Sequence, residues 1–202
     1  AVLTKKIIGE DIIMKKFFTQ PIGEFSRQNS MVFLLCNIVL IAINFGSFEV
    51  DALGRLLNFV WGFSLFGIVI SGYYLAEDHV PDFWKAGSTV LASVIVVGTF
   101  IEIAMPEYQE NGFGPMYFFW AFNQLIYGIT LRGTGIFRPV YENLALLGSL
   151  IIFSGTTAGV FFDYTIPETY QPVGLVGWLA LVIGVGLGTY FAWGDKLSSS
   201  TE

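Results

Sequence analysis

The feature that most constrains this chain is a series of six long apolar runs, near residues 30–48, 56–76, 84–105, 116–131, 144–162 and 173–193. Each is bounded by breaks rich in Pro, Gly and charge. About 20 apolar residues in a helix match the hydrocarbon thickness of a bilayer, and a helix satisfies its own backbone polar groups there. The runs are continuously apolar and do not alternate with period two, so a β-barrel is excluded. The reading is an all-α integral membrane protein, a bundle of six transmembrane helices. Composition agrees: 13% of residues are charged, against about 25% in soluble domains. The spans consume nearly the whole chain and leave no room for a soluble catalytic domain. The expected organisation is a cytoplasmic amphipathic segment over 1–28, the six-helix domain over 29–195 and a cytoplasmic tail over 196–202.

The amphipathic segment is read from Lys5 to Phe18, where Ile and Phe recur at helical spacing between lysines and acids. Such a helix lies in the membrane interface, its apolar face dipped and its lysines reaching anionic headgroups. A signal peptide is not expected, because mixed residues precede the first apolar run and no cleavage-type segment stands before it.

Orientation follows from Lys and Arg, which are retained on the cytoplasmic side during insertion. With the N-terminus inside, the cytoplasmic parts hold Lys5, Lys6, Lys15, Lys16, Arg27, Lys85, Arg132, Arg138 and Lys196, and the other side holds Arg55. The expected localisation is a multi-pass protein of the cell membrane with both termini cytoplasmic. The outer loops are acidic, carrying Glu49, Asp51, Glu107, Glu110, Asp163 and Glu168.

Cys36 and His79 are single, so the sequence offers no disulfide framework, no metal cluster and no expected cofactor. Nothing in it points to a nucleic-acid partner; the bilayer and a small solute are the partners expected. Gly62, Gly67 and Gly72 in the second run, and Gly177, Gly184, Gly186 and Gly188 in the sixth, read as close helix packing. The stretch from Gly184 to Gly188 has no preceding strand and is not a nucleotide loop.

Polar groups at membrane depth are costly unless they pair or line water, which makes them the informative residues. They are Asn37, Asn44, Asn58, Ser64, Ser88, Thr89, Ser93, Thr99, Asn123, Gln124, Ser149, Ser154, Thr156 and Thr157. They include no Ser-His-Asp set and no paired intramembrane carboxylates, so no enzyme mechanism can be written and none is expected. Amides and hydroxyls among aromatic rings suit a narrow path for a small polar solute. Asn37, Asn58, Asn123 and Gln124 are the candidate path-lining donors, and Phe63, Phe66, Tyr73 and Phe122 the candidate constrictions. Glu102 is the candidate proton-linked group. Helix-to-helix hydrogen bonding explains each polar residue about equally well.

Trp120-Ala121-Phe122 followed by Thr130-Leu131-Arg132-Gly133, and the ending Gly177-Trp178-Leu179-Ala180-Leu181 with Tyr190-Phe191-Ala192-Trp193-Gly194, carry a resemblance. With the spacing of the six runs they resemble the acetate uptake transporter family, six-helix proteins that carry acetate or succinate with protons. Pro21-Ile22-Gly23 stands where that family has N-P-A-P-[LV]-G before helix one, and its G-N-T-F signature is absent from residues 77–84. The resemblance implies a permease or channel for acetate or a similar short monocarboxylate moving with a proton, assembled as a homo-oligomer, a hexameric ring. Two alternatives stand beside it. One is a urea or amide channel, which shares the six-helix plan. The other is a packing subunit of a heteromeric membrane complex that transports nothing.

Overall fold

A computed structural model describes residues 21–46, 51–75, 79, 81–104, 118, 121–126, 128–129, 132–162 and 167–199. The described residues form helices and turns, and none is in a strand. The helices are α1 (Ile22–Gly46), α2 (Asp51–Leu75), α3 (Asp82–Ala104), α4 (121–126), α5 (Pro139–Phe162) and α6 (Gln171–Ser199). A 3-10 turn, Glu168–Tyr170, leads into α6. Four stretches are long and apolar enough to cross a membrane: Ile22–Ile43, Gly54–Leu75, Pro139–Phe162 and Pro172–Ser199. The described apolar stretch of α3, Lys85–Gly98, is shorter. The amphipathic segment at 5–18 lies outside the described residues, as do the side chains of Asn44, Thr99 and Glu102.

Prolines set several helix starts. Pro139 opens α5, where its fixed φ suits the first turn and its missing N–H costs nothing. The Arg138 carbonyl ahead of it accepts the amides of Tyr141 (2.9 Å) and Glu142 (3.2 Å). The turn before α5 is closed by Gly133 and Gly135, at φ +75° and +79°. L-residues with a Cβ rarely adopt that left-handed conformation. Both outer helices run past the expected span limits: α1 begins at Ile22 and α6 continues to Ser199. Helix α5 likewise takes in 139–143, expected as loop.

In lipid, helices associate through close van der Waals packing and interhelical hydrogen bonds. Helix α6 is the hub, packing most extensively on α5, then on α1, and more lightly on α2. Its glycines explain the approach. A Cβ on Gly184 would meet the backbone of Leu144 and Ala145, one on Gly177 would meet Ile151, and one on Gly186 would meet Leu34. From the other side, a Cβ on Gly148 would meet the backbone of Gly177 and Leu181. Around this seam Phe33, Leu65, Ile68, Ile95 and Leu181 form a fully buried core. The outward faces, among them Leu35, Ile38, Phe63, Val90 and Leu147, are exposed and apolar.

One end of the bundle gathers the N-terminus of α1, the C-termini of α2 and α6 and the turn before α5. Gly23 packs on Trp193 and Leu197, and Leu75 shares a cluster with Trp193, Ile136 and Phe137. Arg27 donates to the Tyr190 hydroxyl at 3.0 Å, and Arg138 pairs with Asp195 at 3.3 Å over the Phe191 ring. Arg27, Lys85, Arg132, Arg138 and Lys196 thus share an end, while Arg55 stands at the start of α2, at the other.

Candidate functional site

The intramembrane polar residues separate into those that satisfy themselves and those that do not. Ser30, Ser149, Thr156 and Thr157 donate to carbonyls four residues back, on Ser26, Ala145, Ile152 and Phe153. A hydroxyl bonded this way needs no partner from another helix. A second group ties helices together. The Asn29 amide donates to the Ser64 carbonyl at 2.7 Å, and the Ser71 hydroxyl bonds the Ser26 hydroxyl at 2.7 Å.

Asn37 belongs to that second group. It is 2% exposed, its amide nitrogen donates to the Phe33 carbonyl at 2.8 Å, and its side-chain oxygen accepts the Trp178 indole N–H at 3.1 Å. It joins α1 to α6.

Asn123 and Gln124 line a cavity of about 50 Å³ between α2, α4, α5 and α6. Ile68, Val69 and Gly72 of α2 form one wall, and Gly184, Val185 and Thr189 of α6 another. Asn123, Gln124 and Gly128 stand opposite, with Phe137, Tyr141, Glu142 and Ala145 closing the end nearest the cationic turn. Asn123 is 3% exposed and its side-chain oxygen accepts the Ser88 hydroxyl at 3.0 Å, which leaves its NH2 to serve as a donor. Thr189 is buried. Glu142 is half-buried, and its Oε1 is fully covered with no hydrogen-bond donor among the described residues.

Of the residues expected to form a path, the structure brings Asn123 and Gln124 together in this cavity. Phe122 stands beside them but turns into an aromatic cluster with Phe118 and Phe153, at 6.3 and 5.6 Å between ring centres. Phe66 packs on the core, and the exposed Phe63 lies against it at 6.0 Å on the outer face. Tyr73 is half-buried, edge-on to Tyr74 at 5.2 Å. Asn58 is partly exposed on α2, apart from the cavity. Glu102 lies in α3, its side chain outside the described residues.

Sequence reasoning missed Tyr141, Glu142 and Thr189. Pro139 was the available signal for the first two, since a proline at the first helical position moves the start of α5 ahead of them. Thr189, between Gly188 and Tyr190, had no mark beyond its polarity.

Chemically, the lining offers amide and hydroxyl donors, one carboxylate and, among the described residues, no cation. A volume near 50 Å³ holds about three or four waters, or one solute of similar heavy-atom count. Compared with models of known families, with curated proteins and with solved structures, the chain matches none.

Proposed function

We propose that this chain is a six-helix membrane permease for a small polar solute, a short monocarboxylate such as acetate entering with a proton, with its cationic end in the cytoplasm. The observation that carries the reading is the cavity between α2, α4, α5 and α6, whose described lining is mostly apolar and includes Asn123, Gln124, Glu142 and Thr189. Its size fits acetic acid, whose few polar atoms need few partners. A bare carboxylate is far costlier to strip of water than the neutral acid, and the lining supplies no cation to offset that cost.

A second reading, a channel for urea or simple amides, is favoured by the pairing of Asn123 with Gln124. Both belong to the same class, passage of a small solute through one protomer.

Uptake into proteoliposomes tests the proposal. Purified protein under an inward proton gradient is expected to take up labelled acetate faster than empty vesicles do, with urea and acetamide measured alongside. Urea or acetamide entering while acetate does not would move the assignment to the amide channel. Uptake of none of the three would sink the permease reading and leave a packing subunit.

A further inference from the structure

Glu142 differs from the acids held in the described ion pairs. Asp82 is paired with Lys85 at 3.2 Å, and Asp195 with Arg138 at 3.3 Å. Glu142 has no such ion pair among the described residues, although Arg138 stands four residues before it, just ahead of α5. That guanidinium is committed to Asp195 and to the face of Phe191, 4.4 Å from the ring centre. Glu142 lies in the wall of the small cavity; its Oε1 is covered and receives no donor from the described residues, so its other carboxylate oxygen is the one open to a solute. A covered carboxylate oxygen without a donor costs more than an ordinary unmade hydrogen bond. Sequence analysis placed the proton-linked role on Glu102; the geometry supplies an acid at the cavity itself.

We propose that Glu142 couples a proton to the solute: it accepts a hydrogen bond from the O–H of a carboxylic acid that enters neutral, and it excludes the bare anion. The proposal rests on the permease reading and names the residue that sets its selectivity. A carboxylate brought beside another is repelled, so the neutral acid is the form that fits against Glu142. When the solute arrives as R–COOH, its O–H points at the open carboxylate oxygen of Glu142 and the proton lies in the O–H···O hydrogen bond. The acid's carbonyl oxygen then accepts from the amide NH2 of Asn123 or Gln124. On release the proton departs with the solute, and Glu142 returns to its starting state with no net change in charge.

The surroundings leave no other described group for this task. Among the described lining residues, α5 presents one further ionisable side chain, Tyr141. Helix α2 faces the cavity with Ile68, Val69 and Gly72, and α6 with Gly184, Val185 and Thr189. The described lining from α4 and just beyond it is Asn123, Gln124 and Gly128. Tyr190 of α6 is occupied by Arg27, which donates to its hydroxyl and lies over its ring.

The experiment compares wild type with Glu142→Gln and Glu142→Asp in proteoliposomes, reading the protein-dependent part of labelled acetate uptake at several pH values and fixed total acetate. Wild-type uptake is expected to fall about tenfold per pH unit above the acid's own pKa, as the neutral fraction does. In Glu142→Gln the charge that repels the anion is gone and an N–H is offered in its place, so the dependence flattens to less than about threefold per unit. Glu142→Asp keeps the charge and keeps the steep profile. Acetamide uptake above empty vesicles reports whether each variant is assembled. If Glu142→Gln is not assembled, a flattened profile in Glu142→Asp overturns the proposal and a steep one supports it. An assembled Glu142→Gln with the wild-type profile overturns the coupling role while the permease stands. If the wild type takes up acetamide but not acetate, the monocarboxylate reading fails and this coupling with it. If it carries no solute at all, the permease reading itself has failed.

Discussion

At the scale of single residues, the polar side chains inside this bundle do two different jobs, and the partner decides which. Asn37 and Asn123 are both buried amides. Asn37 spends its side-chain oxygen on Trp178 and its nitrogen on Phe33, and it is not among the described residues that line the cavity. Asn123 spends its oxygen on Ser88 and keeps its NH2 beside the cavity. Replacing Asn37 with Ala removes an acceptor from a partly buried indole N–H, and is expected to cost about 1–3 kcal/mol. Thermal unfolding in detergent should show a lowered midpoint, with the pH profile of uptake retained; an unchanged midpoint would contradict the tie between α1 and α6. The sequence marked both amides, because polarity at membrane depth is visible without a structure. It could not separate them, since Trp178 is 141 residues from Asn37 and such a pairing exists only after folding. Glu142 was missed for a local reason: it sits in the first turn of α5, in a stretch whose Arg and Gly residues read as loop.

At the scale of elements, the seam between α5 and α6 is built backbone against backbone, and small residues permit it. A Cβ on Gly184 would stand 2.8 Å from Ala145 Cα and 2.9 Å from Leu144 C, contacts that backbone atoms cannot yield. Gly184→Ala is therefore expected to destabilise the bundle by about 1–3 kcal/mol through overpacking, measured as a fall in the detergent unfolding midpoint. Gly72 is the contrasting case, since a Cβ there meets nothing within 4 Å. Both were legible as small residues in apolar runs, and both were read as packing positions. For Gly177, Gly184 and Gly186 the close contacts explain the residue. Gly72 keeps a cavity wall open, a distinction that depends on which face of α2 turns toward α6. Helix existence was likewise readable from apolar length, whereas helix ends were not: Ser26–Ser71 and Arg27–Tyr190 hold the extra turns of α1, and Arg138–Asp195 holds that of α6.

At the scale of the whole molecule, the pattern is an apolar bundle with one cationic, aromatic-backed end and a small cavity that Asn123, Gln124, Glu142 and Thr189 line among apolar residues. If that end faces the cytoplasm, thiols introduced at Thr134 and Ser198, with Cys36 replaced by Ala, should share one side, and a thiol at Thr169 should lie on the other. Labelling of intact cells with a membrane-impermeant maleimide is expected to modify the Thr169 position alone, and modification of the Thr134 position would reverse the orientation. The central claim is that solute crosses through the cavity bounded by α2, α4, α5 and α6. Gly72→Leu tests it most directly, because the added side chain enters that space without displacing backbone. Leaving a helix interior with one fewer glycine favours folding by roughly 0.5–1 kcal/mol, so the unfolding midpoint should hold. The measurement is labelled solute uptake by wild-type and Gly72→Leu proteoliposomes of equal protein content. A fall to the level of empty vesicles, with the midpoint retained, is the expected result; uptake at the wild-type rate would show that the solute does not pass through this cavity.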